Sequence, residues 1–151
     1  MSGTGVANIL HRDTIAMIVG TKTFERGEQC FAGGRVLGVE SGSGELAGVV
    51  RPIEHGRVPY EVRIWVRDDG LAYQCTCPVG TSRQFCKHAV AIALAHLQKE
   101  NVRVERELAS LRVELMNVSM AALLDGLVAH AQVDRALLDA LRQVVERAKQ
   151  R

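Results

Sequence analysis

Cys75-Thr76-Cys77-Pro78-Val79-Gly80-Thr81-Ser82-Arg83-Gln84-Phe85-Cys86-Lys87-His88-Ala89-Val90-Ala91 is the stretch on which the reading of this chain turns. It holds three of the four cysteines, in the order Cys-x-Cys, eight residues, Cys-x-His. Zinc takes thiolate and imidazole donors at tetrahedral corners, and a set of four leaves no corner for water. An extended backbone turns the thiols of Cys75 and Cys77 to one side, and Pro78 and Gly80 favour a turn after them. Residues two apart within a helix point roughly 200° apart, so Cys86 and His88 cannot both reach one ion from inside one. Cys86 is therefore expected just before a helix, with His88 in its first turn. The prediction is a structural Zn2+ held by Cys75, Cys77, Cys86 and His88. Three thiolates and a neutral imidazole leave such a site with a charge of about −1, which Arg83 and Lys87 stand close enough in sequence to offset. Phe85 is placed to shield one side. Two other readings of the cluster are reduced buried cysteines without metal and redox-active thiols; the spacing and turn chemistry favour zinc.

After the ligands, residues 89–97 form an alanine-rich apolar run, which predicts a buried helix. The polar residues from Lys99 to Arg103 are expected to end it or to form a linker. Beyond them the chain is helical throughout. Val104, Leu108, Leu111 and Leu115 recur at 4-3-4 spacing, Ser119 can cap residues 120–131, and Asp134 can cap residues 135–149.

Before the ligands, four strands are predicted at 35–40, 45–51, 60–67 and 71–75. Ser41 to Gly44 and Asp68-Asp69-Gly70 stand at hairpin positions, and residues 52–59 form a longer surface loop. In the third strand Val62, Ile64 and Val66 alternate with Glu61, Arg63, Trp65 and Arg67. The first set is assigned to the core and the second to the more exposed face. Two short helices precede the sheet, one over 14–19 with Asp13 as N-cap and Gly20 as its stop, one over 23–32 ended by Gly33-Gly34. The fold class is α+β: short N-terminal helices, a small antiparallel β-meander, a zinc knuckle with its helix, and a C-terminal helical hairpin. The corresponding segments are 1–34, 35–98 and 99–151.

Composition narrows the function classes. The 151 residues are 47% hydrophobic and 24% charged with a formal net charge of +2, the balance of an ordinary globular chain without the strong basic excess that phosphate-driven binding shows. No apolar run approaches a membrane span, and no basic stretch followed by an apolar one opens the chain. The expected compartment is the cytoplasm, where cysteines serve as metal ligands more often than as disulfides. There is no phosphate-cradling glycine loop with its lysine, no Gly-x-Ser-x-Gly and no His-Glu-x-x-His, and a zinc with four protein ligands has no open position for catalysis. The chain is not expected to be an enzyme, and no small-molecule substrate is expected. Cys30 reads as a buried helical thiol, and His11, His55, His96 and His130 have no ligand-like neighbours.

The segment Cys77-Pro78-Val79-Gly80, then Phe85-Cys86-Lys87-His88-Ala89-Val90-Ala91, resembles the SWIM zinc finger. Phe24-Glu25-Arg26-Gly27 and Gly34-Arg35-Val36 are similar to the region before the finger in bacterial proteins of that kind. The resemblance covers about 24–97, and all four ligand positions match. It implies a structural zinc and a binding role, with DNA and proteins as the proposed partners.

Two functions follow as expectations. The first is a zinc-binding interaction module that binds nucleic acid (DNA) as part of a larger complex, through Arg63, Trp65, Arg67, Arg83 and Lys87. An aromatic between arginines suits a base stacked beside its phosphate; the competing reading, slightly favoured, has Trp65 packed beneath the C-terminal helices with its arginines snorkelling. The second is a protein–protein interaction adaptor that uses the C-terminal helices. For the Val104 to Leu115 stripe, packing against the chain's own sheet is the expected arrangement.

Overall fold

The computed structural model describes residues 10–42, 44–54, 56–67, 70–82 and 85–150. The described residues form five α-helices and one four-stranded sheet, which makes the fold α+β. Helix α1 spans Arg12–Val19 and α2 spans Thr21–Ala32. Strands β1 (Val36–Gly42), β2 (Glu45–Val50), β3 (Tyr60–Arg67) and β4 (Gly70–Cys75) pair antiparallel in sequence order. A single 3-10 turn at Gly80–Ser82 leads to α3 (Lys87–Met116), followed by α4 (Met120–Ala131) and α5 (Arg135–Lys149).

Gly20 is the only residue between α1 and α2, at φ 74°, a conformation glycine adopts without penalty. The N-cap of α1 is His11 rather than Asp13, and Asp13 stands in the first turn instead. A carboxylate there faces the positive end of the helix dipole. Both hairpins are tight: Gly42 pairs with Glu45 and Arg67 with Gly70. The side chains of Leu46, Val50, Val62 and Ile64 lie on the inner face, each at most 1% exposed, so the alternation in β3 points as expected.

The run from Ala89 to Ala95 is buried on every side. Its neighbours explain why alanine and glycine recur. A Cβ on Gly48 of β2 would lie 3.0 Å from Ile92 Cγ1 and 2.9 Å from the Gly38 carbonyl, so the bare glycine lets the helix lie on the sheet. On another side, a Cβ on Gly27 of α2 would run into Val90.

The sequence reading ended this helix, or loosened it, at Lys99 to Arg103. Instead α3 continues without a break to Met116. Lys, Glu and Arg are good helix formers, neither Gly nor Pro interrupts them, and Arg103 pairs with Glu100 at 2.8 Å. Polarity marked a change of environment and not a change of backbone.

By its contacts the chain divides into two units, one through Arg103 and one from Val104. In the first, Leu10, Ile15 and Phe24 join the inner sheet face and the start of α3 in one core. In the second, Ser119 accepts from Ala122 N and Asp134 from Leu137 N at 3.1 Å, which caps α4 and α5 as expected. Ala131 is the one buried residue among its described members. No described helix is long and apolar enough to cross a membrane.

His96 is 3% exposed on α3. Burial holds its imidazole below the ordinary pKa, with Glu100 pulling the other way. The unfolded ring therefore takes a proton first. Its contribution to stability is complete above about pH 6.5 and is lost as pH falls from there through the folded value. His96→Leu should flatten this part of the stability curve, read by urea unfolding of zinc-saturated protein between pH 7 and 5. An unchanged slope would remove His96 as its cause.

Candidate metal centre

Strand β4 delivers Cys75 as its last residue, and the pairing with β3 runs one residue further. Thr76 N donates to Glu61 O at 3.0 Å, and Glu61 N donates to Thr76 Oγ1 at 3.0 Å. This pair of hydrogen bonds ties the strand end just where Cys77 leaves it. The knuckle then closes on itself: Thr81 N donates to Cys77 O at 3.1 Å, Thr81 Oγ1 to Pro78 O at 2.7 Å, and Gly80 N to Cys77 Sγ at 3.2 Å. Gly80 passes so close to the strand end that a Cβ there would sit 2.6 Å from the Cys75 carbonyl oxygen.

Cys86 immediately precedes α3 and His88 is its second residue, the arrangement the two-residue spacing demands. The donor atoms of Cys75, Cys77, Cys86 and His88 all lie within 4.8 Å of one another, and all four residues are buried. His88 turns Nδ1 towards the thiols, 3.9 Å from both Cys75 Sγ and Cys86 Sγ. A tetrahedral zinc with ordinary bond lengths separates sulfur from nitrogen by about 3.6 Å and sulfur from sulfur by about 3.8 Å. The set therefore fits zinc in donor type, number and spacing, and a fourfold set of this kind leaves no corner open.

The thiols cannot all ionise at such distances without a cation. A hydrogen bond from Cys75, then the His88 ring and the Ala89 N–H, bring Cys86 down to about 4 against the opposing effect of burial. The same contact with Cys86, together with burial, pushes the Cys75 thiol up. A divalent ion replaces that shared proton, so zinc uptake releases it and weakens as pH falls.

Aromatic rings close the site. Tyr60 lies on the His88 ring with centroids 4.6 Å apart, and Phe85 meets Tyr73 at the same separation. Phe85 had been marked from its position beside Cys86. Tyr60 and Thr76 had not: only the β3–β4 register places them here.

Among the described residues marked from sequence as a contact surface, Lys87 stands apart from Arg63, Trp65 and Arg67. Arg63, Trp65 and Arg67 stand on the outer face of β3. Arg63 is exposed and paired with Glu45 at 3.5 Å, Trp65 is half-buried opposite Glu45 and Ala72, and Arg67 is exposed. Lys87 opens α3 and lines a recess with Arg26, Arg35 and Arg51. Arg83 lies outside the described residues, as does His55. Cys30 is buried on α2, where burial raises its thiol pKa and Arg35 and Lys87 partly oppose the rise.

Within its own unit nothing buries the stripe on α3. Val104, Leu108, Leu111 and Leu115 are 45%, 59%, 48% and 39% exposed. Periodicity identified the apolar face, but it carries no information about what lies against it.

No curated protein and no solved structure matches the chain. The family description SWIM zinc finger matches residues 60–97, from the start of β3 into α3, and this span includes all four donors.

Proposed function

Because the chain is a SWIM zinc finger protein, we propose that it acts as a binding module, in which the zinc-held unit is an ordered platform and the helices from Val104 onward dock a protein partner. The observation that carries this reading is the exposure of apolar side chains on those helices. Leu108, Leu111 and Leu115 lie open on α3, and Leu124, Val128, Val144 and Val145 lie open on α4 and α5. Between α4 and α5 a recess of about 380 Å³ is lined by Val128, Ala131, Leu138, Leu141 and Val145. A unit of this size that buries one residue cannot offset its own conformational entropy, and contiguous apolar surface of this kind marks protein interfaces. The partner that fits is an apolar helical surface, supplied by another protein or by a second copy of this chain.

Hydrogen exchange on the full chain, with its mass followed by light scattering, tests this. Amides in residues 104–150 should exchange quickly in the monomer and become protected on assembly. Leu108→Glu with Leu111→Glu should weaken assembly by about tenfold or more and leave zinc content unchanged. A monomer in which residues 104–150 are already fully protected would sink the proposal.

DNA binding is the second reading, favoured by the cations that gather around Lys87. Its test is joined to the one that closes the next subsection.

A further inference from the structure

Four cations reach one recess from four places in the chain. Arg26, Gln29 and Cys30 occupy positions i, i+3 and i+4 on α2 and so share one of its faces. Arg35 enters β1, and Arg51 follows β2; the bond from Arg51 N to Arg35 O, 2.8 Å, carries the β1–β2 pairing one step past its end and holds the two arginines side by side. Lys87 is the first residue of α3. Together they line a recess of about 390 Å³, within the range of small-ligand sites, about 300–1,000 Å³.

Among the described residues, no carboxylate lines this recess. Of the acidic groups nearby in sequence, Glu28 pairs with Arg12 and Glu54 with Arg57, and Glu25, next to Arg26, is not part of the lining. Among the described residues, none of Arg26, Arg35, Arg51 and Lys87 makes an ion pair. Nη1 of Arg35 is closed off from solvent and has no hydrogen-bond partner among the described residues. Buried donors nearly always meet an acceptor, and buried charges are nearly always paired. His88 forms part of the wall, and the single negative charge of a Cys3His zinc set behind it is well short of neutralising four cations.

We infer that this recess is a binding site for a terminal phosphate group. A phosphate monoester carries a charge of about −1.5 to −2 at neutral pH and three strong acceptor oxygens, which suits cations converging from several directions. Arginine forks bind such an oxyanion through paired N–H donors. A carboxylate offers one charge and two oxygens and leaves more of the cluster unmatched. The shape selects as well: a recess takes the end of a strand or a nucleotide, whereas an internal diester needs an open groove. The phosphate can come from a free nucleotide or from the 5′ end of a nucleic-acid strand. In the second case the inference rests on the DNA reading; in the first it does not.

The experiment uses the full zinc-loaded chain and short labelled single-stranded DNA, with and without a 5′-phosphate, and with adenosine monophosphate as competitor. The 5′-phosphate strand should bind about tenfold or more tightly than its 5′-hydroxyl counterpart, and the monophosphate should displace it. Arg35→Met should abolish that difference, with zinc stoichiometry retained and a melting temperature unchanged or raised, because it removes a buried donor that lacks a partner. Arg51→Gln, at an exposed position, should reduce the difference in the same direction and serves if Arg35→Met does not fold. Binding of the monophosphate alone upholds the phosphate site and sinks the DNA reading. Equal binding of both strands, unaffected by either variant, keeps DNA binding and overturns the phosphate site. If neither strand nor the monophosphate binds, both fall.

Discussion

Stripping zinc from this protein, or replacing Cys86 by Ser, should unfold the unit that ends at Arg103. Coordination of this type contributes roughly 10 kcal/mol or more of coupled folding energy at neutral pH, as much as the whole stability of a typical domain, about 5–15 kcal/mol. The reason is local. Cys75, Cys77 and Cys86 are each 2% exposed and belong to the hydrophobic core itself. Without a cation, the core holds a lowered Cys86 thiol beside a raised Cys75 thiol, an arrangement that leaves negative charge in an apolar setting. The expected result is loss of strand signal by circular dichroism on adding a strong chelator, with recovery when zinc is restored. Because protons compete for the thiols, the protein's zinc affinity should fall at lower pH, once the chelator's own protonation is allowed for. Retention of the native spectrum and melting temperature in metal-free protein would show that the sheet and the buried start of α3 suffice alone.

The second large effect is expected from a single methyl group. Gly27→Ala places a Cβ into Val90. Part of the obstruction is Val90's own Cβ, which is fixed to the backbone, so relief requires α2 to move away from α3 and no side-chain rotation suffices. Overpacking of this kind costs about 1–3 kcal/mol and sometimes more. Alanine in place of glycine within a helix returns about 1 kcal/mol, so the net loss should approach about 2 kcal/mol. Gly126→Ala is the control. It lies in the middle of α4 with nothing within 4 Å of the added atom, so its exchange should be favourable or neutral. The denaturant midpoint should fall for Gly27→Ala and hold or rise for Gly126→Ala. Equal behaviour would mean that α2 and α3 do not touch as described.

The metal site was legible because its chemistry is local. Cys75 and His88 are thirteen residues apart, and donor type, turn residues and helix phase within that span determine how they meet. The strands were legible for a related reason. Each hairpin turn lies beside its own strands, and β3 began and ended where alternation placed it. The features that sequence did not reveal depend on register or on partners. Tyr60 covers His88, and Arg35 meets Arg51, only because the strands pair as they do. Nothing near Arg26 in sequence foretells Arg51. The α3 stripe illustrates the other limit: its spacing was read correctly, yet an apolar face has the same periodicity whether its own sheet or another molecule covers it.

The meander has a temporal consequence. Every strand pairs with its neighbour in sequence, and every metal ligand lies before Ala89. A ribosome adding about 5–20 residues each second joins the complete sheet and all four donors before it makes α4 and α5. The finger can therefore capture its ion while the chain is still being synthesised. Leu108, Leu111 and Leu115 therefore emerge only after every strand and every metal ligand of the first unit has left the ribosome.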